Sequence, residues 1–342
     1  MNKKRFYLIL VLILLISSLL ALSFHQKIGV QEVVNNKYEN NKGLIKNYAK
    51  NGKVQYLSES IGQYLSYLLL VEDEKEFKQQ VAVLKKNFLV KQADGTFIQW
   101  VATNQTTTNA SVDDFRIIAV LKKASEQFQE PAYQILADEL EETLISKQLT
   151  DGLIVDFYDW ELQKKAAVLH LSYIDDQIIK TDSKVNKAKY QKILMESVDS
   201  DTPFFKEVYT LEEQTYQLAD KKSVNLIDQL MIAIQYVKLT NQTPAQFDQW
   251  LKAEWDANGK FFGGYLRTDL TPAVPYESSA VYALATLYFK LVHEEAYAEQ
   301  LHQVLLKQSP FDKNADYATI HFFDYMWVKT VDVLYKKDLI DK

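Results

Sequence analysis

Carboxylates and hydroxyls interrupt otherwise apolar stretches at five places: Ser58-Glu59-Ser60, Ser111-Val112-Asp113-Asp114, Ser172-Tyr173, Asn225 with Asp228, and Tyr276-Glu277-Ser278. Singly, each reads as helix capping, because Ser, Asp, Asn and Glu satisfy the free N–H groups of a first turn. Jointly, they would converge on one end of one cavity, which capping does not require. Converging carboxyls allow general acid/base chemistry: one protonates a leaving oxygen while another activates water. Glu59 is the leading acid. A helix N-terminus favours the ionised carboxylate, so an acid there needs burial or a neighbouring negative charge. Asp113 and Asp114 are the candidates for that charge.

The elements that must position these groups are helices. Six segments read as helices apolar nearly all round, hence buried: Glu59–Val71, Asp113–Ala124, Ser172–Lys180, Val224–Val237, Glu277–Lys290 and Tyr317–Tyr335. Charge-rich, amphipathic helices precede or separate them: Glu32–Lys50, Glu74–Phe88, Glu130–Lys147, Lys187–Val198, Thr243–Asp256 and His293–Lys307. The alternation predicts an all-α (α/α)6 barrel, an inner ring of six helices inside an outer ring of six. The alternative is an irregular helical domain or solenoid.

Connections from outer to inner helices are long, and four hold an aromatic-rich extended stretch: 95–100, 152–158, 203–209 and 260–265. Short β-hairpins are expected there, on the face where the inner helices begin. Trp100 and Tyr265 are candidates for stacking on sugar rings, and plugging of the barrel mouth is the alternative.

Composition narrows the classes. The chain has 342 residues, is 47% hydrophobic, and holds only 9 Gly and 6 Pro, too few for a turn-rich β protein. Lys3, Lys4 and Arg5 precede an uncharged run from Phe6 to Phe24, close to the roughly 20 residues that span a bilayer. Residues 1–27 are therefore expected to be a membrane anchor, or a signal cleaved near Ala21-Leu22-Ser23, with one domain over 28–342 outside the cytoplasm. Without the three N-terminal cations the formal charge falls from −6 to −9, which argues against nucleic acid. With no Cys, this sequence offers neither a disulfide nor a lipid-modified thiol. Five scattered His form no metal signature, and no phosphate loop or Ser/His/Asp order appears, so neither metal nor cofactor is expected. The domain is expected to be a monomer.

Leu57-Ser58-Glu59-Ser60-Ile61-Gly62-Gln63-Tyr64 resembles the Ser-Glu-Gly-x-x-Tyr-Gly segment of glycoside hydrolase family 8, whose Glu is the general acid; Ser60 replaces a Gly. Asn109–Ile117 resembles that family's Ala-Ser/Thr-Asp-Ala/Gly-Asp-x-x-Ile signature, with Val112 in place of the first Asp and Asp114 matching the second. The resemblance thus divides the role of binding the sugar at the cleavage subsite between Asp113 and Asp114. Leu169–Ile174 looks like the Asn-Pro-Ser-Tyr-Phe segment, retaining Ser172 and Tyr173. The Tyr-Asp-Ala-x-Arg-x-Pro motif falls by order on Val224–Leu230, with its base Asp at Asn225 and Asp228 one turn onward.

The resemblance implies inverting hydrolysis of a β-linked polysaccharide with Glu59 as acid; because its base position falls on Asn225, either Asp228 takes the base role, with Glu277 in reserve, or the base is supplied elsewhere. It also implies membrane-attached bacterial relatives found with exopolysaccharide synthesis. Tyr64, Trp100, Ser172, Tyr173, Asn225, Tyr265 and Glu277 are the expected substrate contacts. Two rival readings stand beside it. A polysaccharide-binding protein on the same scaffold would explain Val112 and Asn225; a lyase or isomerase would use His321, Tyr64 or Tyr173. Arg116 is expected to pair with the Asp113-Asp114 couple rather than to catalyse.

Overall fold

The computed structural model describes residues 29–49, 54–311 and 315–340. Eleven helices carry about half of these residues. Six of them are α1 (Ser58–Leu70), α3 (Ser111–Gln127), α5 (Asp176–Thr181), α7 (Leu226–Thr240), α9 (Ser279–Leu291) and α11 (Phe322–Lys336). They pack in a closed circuit: α1 on α3, α3 on α5, α5 on α7, α7 on α9, α9 on α11, and α11 back on α1. Burial on every face explains their composition. In α9 every residue from Ala280 to Lys290 is buried.

The other five, α2 (Glu74–Asn87), α4 (Pro131–Gln148), α6 (Lys187–Glu196), α8 (Ala245–Asn258) and α10 (Glu295–Leu305), are amphipathic. Four pack on the ring helix next to them in sequence; α8 reaches α9 through Phe247 against Tyr288 and a hydrogen bond from Tyr288 to Asp248. Local chemistry starts them. Asp73, Glu130 and Asn186 accept first-turn N–H groups, and Pro131 occupies a position where no N–H is needed.

The expected helix over 32–50 is shorter. Residues 29–33 are helical and continue into a π-helical turn, Val34–Tyr38; beyond it, Asn40–Gly43 turn the chain and bridges carry it onward. This segment runs the full height of the ring. Gln31 bonds Asp73 just beyond the end of α1, whereas Tyr48 bridges His321 at the start of α11.

The expected helix over 172–180 is also cut back. Leu171–Tyr173 form a 3-10 turn, and Asp175 caps a helix of only six residues, Asp176–Thr181.

Returns from ring helix to outer helix are short, such as 71–73 and 128–130, while the opposite connections are long and hold hairpins. The hairpin loops are stitched to one another around the rim. Ser58 N–H donates to Trp100, Trp100 to Thr108, Ser111 to Asp156, Leu171 to Glu207 and Phe322 to Asn47, each at a backbone oxygen. Fixed loops hold the ring-helix starts in register. Among the described residues no helix is long and apolar enough to cross a membrane, and Phe6–Phe24 lies outside those residues.

Candidate active site

The first turns of α1, α3, α7 and α11, with the 171–173 turn, enclose a cleft of about 270 Å³. Glu59 enters it from α1, Asp113 and Arg116 from α3, Ser172 and Tyr173 from the turn, and Asp228 from α7. Trp100, 42% exposed, and Phe323 add aromatic faces. In the circuit α1 and α7 are three places apart, so Glu59 and Asp228 approach from opposite walls.

The carboxyls are not equivalent. Burial pushes Glu59 up to about 7, with the Asp113 charge adding to it, Arg116 opposing, and Asp324 adding further. Desolvation and a neighbouring anion thus overcome the helix terminus. Asp113 is tightly held: Ser58 Oγ donates to Oδ2 at 2.6 Å, Arg116 Nη1 to Oδ1 at 3.0 Å, and the Glu59 backbone N–H also donates. Burial raises its pKa, against Arg116 and Ser58. Asp228 is raised by burial and then by Glu207; a hydrogen bond from Ser172 and the nearby His170 oppose this. Tyr173 is raised to about 12, chiefly by burial.

Several expected contacts lie elsewhere. Asp114 turns towards α4, where Asn109 donates to it beside a void of about 10 Å³. Burial raises its pKa well above the ordinary carboxylate range. With Val112 and Asp113 on the cleft side, the next step of about 100° carries Asp114 round towards Asn109. Asn225 is exposed and accepts the Ile227 N–H at 2.9 Å, acting as the cap of α7. Tyr64 is fully buried in the core, and Tyr265 is fully buried with its hydroxyl donating to Glu254 at 3.0 Å. Glu277 is exposed ahead of α9 and accepts from the Tyr282 hydroxyl. His321 caps α11, its Nδ1 accepting the Phe323 N–H at 3.1 Å.

The aromatic stretches mostly pack on one another. Phe97 stacks on Tyr158 and Trp160, and Phe204, Phe205 and Phe261 are buried. Of the four stretches, Trp100 alone lines the cleft among the described residues.

The structure also adds residues. Asp324 sits in the first turn of α11, raised to about 6 by burial, and its charge reaches Glu59. The signal was the same as at the other helix starts, but the helix was expected to begin at Tyr317. At the far end of the ring, a second cavity of about 370 Å³ lies between the C-terminal ends of α1, α3 and α11. Arg116 lines both cavities. Among the described residues no group of His, Asp and Glu has the arrangement to hold a metal ion.

No family model matches the chain. YdaJ of Bacillus subtilis (strain 168) is 30% identical over 264 residues, 75% of this chain and 70% of YdaJ. PssZ from Listeria monocytogenes superposes with a TM-score of 0.82 at 38% identity, over 89% of this chain and 94% of PssZ. Endoglucanase Cel10 from Klebsiella pneumoniae, a family 8 glycosyl hydrolase, shares the fold with a TM-score of 0.63 at 15% identity, over 90% of this chain and 98% of Cel10. These likenesses agree with the motifs at Glu59 and Asp113: the chain belongs to glycoside hydrolase family 8.

Proposed function

We propose that the chain is an inverting glycoside hydrolase acting on a β-linked polysaccharide, built as an (α/α)6 barrel, with Glu59 as acid and Asp228 as base. The observation that carries this reading is the unequal pair in one cleft. Glu59 is held up to about 7 on one wall, and on the opposite wall burial and Glu207 raise Asp228 while Ser172 and His170 oppose them. Glu59 gives its proton to the glycosidic oxygen, and Asp228 draws a proton from a water that attacks the anomeric carbon from the other face. Inversion requires the carboxyls ~6.5–9.5 Å apart, leaving room for that water. Asp113, locked by Ser58 and Arg116, holds sugar hydroxyls at the cleavage subsite, and Trp100 and Tyr173 stack on the rings.

The domain works outside the cytoplasm, attached by the Phe6–Phe24 run; the relative YdaJ carries "lipoprotein" in its name. A tether joined at Gly29 reaches the body beside Asp73, at the end of the ring remote from the cleft, so the cleft faces away from the bilayer.

The test is to incubate the soluble domain with β-glucans and the host's exopolysaccharide and to measure new reducing ends. Wild type should release sugar and Glu59→Gln should not; equal release by both removes Glu59 from the mechanism. Val112 supports a second reading, a polysaccharide-binding protein. It lines the cleft with an apolar side chain where the resembled motif has a carboxylate. Binding without release by wild type would select that reading.

A further inference from the structure

Asp113, Glu207 and Asp228 lie in or near the cleft, and their partners differ. Asp113 has Arg116, and buried Glu207 has Arg267. Among the described residues no Lys or Arg pairs with Asp228; the cationisable group that acts on it is His170. His170 ends the strand Val168–His170, and its ring lies against cleft-lining Tyr173 with centroids 5.5 Å apart. Buried Asp156 holds it twice, accepting the backbone N–H at 2.7 Å and facing Nδ1 at 2.6 Å. A carboxylate can only accept, so Nδ1 carries a proton and the ring orientation is fixed. The ring remains 40% exposed, which lets Nε2 gain a second proton from solvent.

We propose that His170, clamped by Asp156 and lying against Tyr173, is a positioning residue for Asp228 that supplies the positive charge on that side of the cleft. This rests on Asp228 as the base. The groups facing the ring are Asp156, Asp228, Glu207 and Tyr173, three of them carboxyls. All three raise the imidazole pKa, Asp156 most through its hydrogen bond, while burial opposes them. The cation therefore persists to higher pH than a free imidazole allows. The segment resembled by Leu169–Ile174 has Asn at this position, which makes His170→Asn a natural substitution to read.

Coupling between two titrating groups is reciprocal, so it is measurable without turnover. In the soluble domain, the His170 ring titration is followed by NMR, its signal assigned by loss in His170→Asn. Asp228→Asn should lower the His170 midpoint by about half a pH unit or more, the size expected of one charge nearby. Asp156→Asn should lower it further. An unmoved midpoint in Asp228→Asn, in a protein whose amide map is otherwise intact, overturns the proposal. In turnover, His170→Asn should move the acid limb of kcat/KM to higher pH, because Asp228 then needs higher pH to ionise. If Asp228→Asn is inactive and that limb stays put, the inference fails while the base assignment survives. If Asp228→Asn is fully active, the base assignment fails instead, and the NMR midpoint still decides the coupling.

Discussion

Arg116 donates to Asp113 at 3.0 Å, and the same residue lines both the cleft and the cavity at the far end of the ring. The two side chains are 15% and 7% exposed, so the pair is largely desolvated. Removing one member of such a pair strands the other charge. Arg116→Met should therefore lower unfolding free energy by about 3 kcal/mol, measured by urea titration at neutral pH. Arg116→Lys should recover part of the loss, since it restores a charge without the guanidinium geometry. A loss below about 0.5 kcal/mol would place the pair among solvent-screened surface contacts.

Glu59 makes a stability prediction that needs no substrate. Its folded pKa, about 7, lies above the ordinary value of 4.5. The folded state therefore holds a proton that the unfolded state has released between those two values. Stability from the protonated carboxyl is complete below about 4.5 and is lost as pH rises through 7. Glu59→Gln cannot ionise, so its stability relative to wild type should climb across that window. The gain should reach about 3 kcal/mol. Parallel pH dependence of the two proteins would show that Glu59 titrates normally.

Asp324 bears on activity through Glu59. Its negative charge raises the Glu59 pKa, so Asp324→Asn should let Glu59 ionise at lower pH. The alkaline limb of kcat should shift down by about half a unit, with KM little changed. A rise in KM with an unmoved limb would make Asp324 a sugar contact instead.

The ring and its sequence pattern agree because burial on all faces demands apolar residues on all faces. Residues 280–290 show this directly, all buried and all in the segment expected to be an inner helix. Glu59, Asp113 and Asp228 could be read because each breaks an apolar helix at its first turn. What that signal could not resolve was direction. Asp113 and Asp114 have the same composition signal, yet one helical step sends the first into the cleft and the second towards Asn109. Asn225 shows the same ambiguity: the residue type that binds a ligand at a helix start also caps it. His170 was beyond reach for another reason. Its partner Asp156 lies 14 residues earlier in the chain, and the loop that brings them together, with the Asp156 N–H donating to the Val168 carbonyl, has no periodic signal.

Trp100 and Asn225 separate the two roles experimentally. Trp100 is 42% exposed and lines the cleft, so its face is free to stack on a sugar ring. Stacking contributes about 1 kcal/mol, so Trp100→Ala should raise KM roughly fivefold with kcat nearly intact. Unfolding free energy should fall as well, by about 2 kcal/mol, because the larger part of the residue is covered by its neighbours. Asn225→Ala should leave substrate binding alone. It removes the side-chain acceptor at 2.9 Å from the Ile227 N–H, costing about 1 kcal/mol of unfolding free energy. KM should stay within twofold, since Asn225 does not line the cleft. A large KM effect for Asn225→Ala, with stability unchanged, would return this residue to the substrate contacts and place the sugar chain across the start of α7.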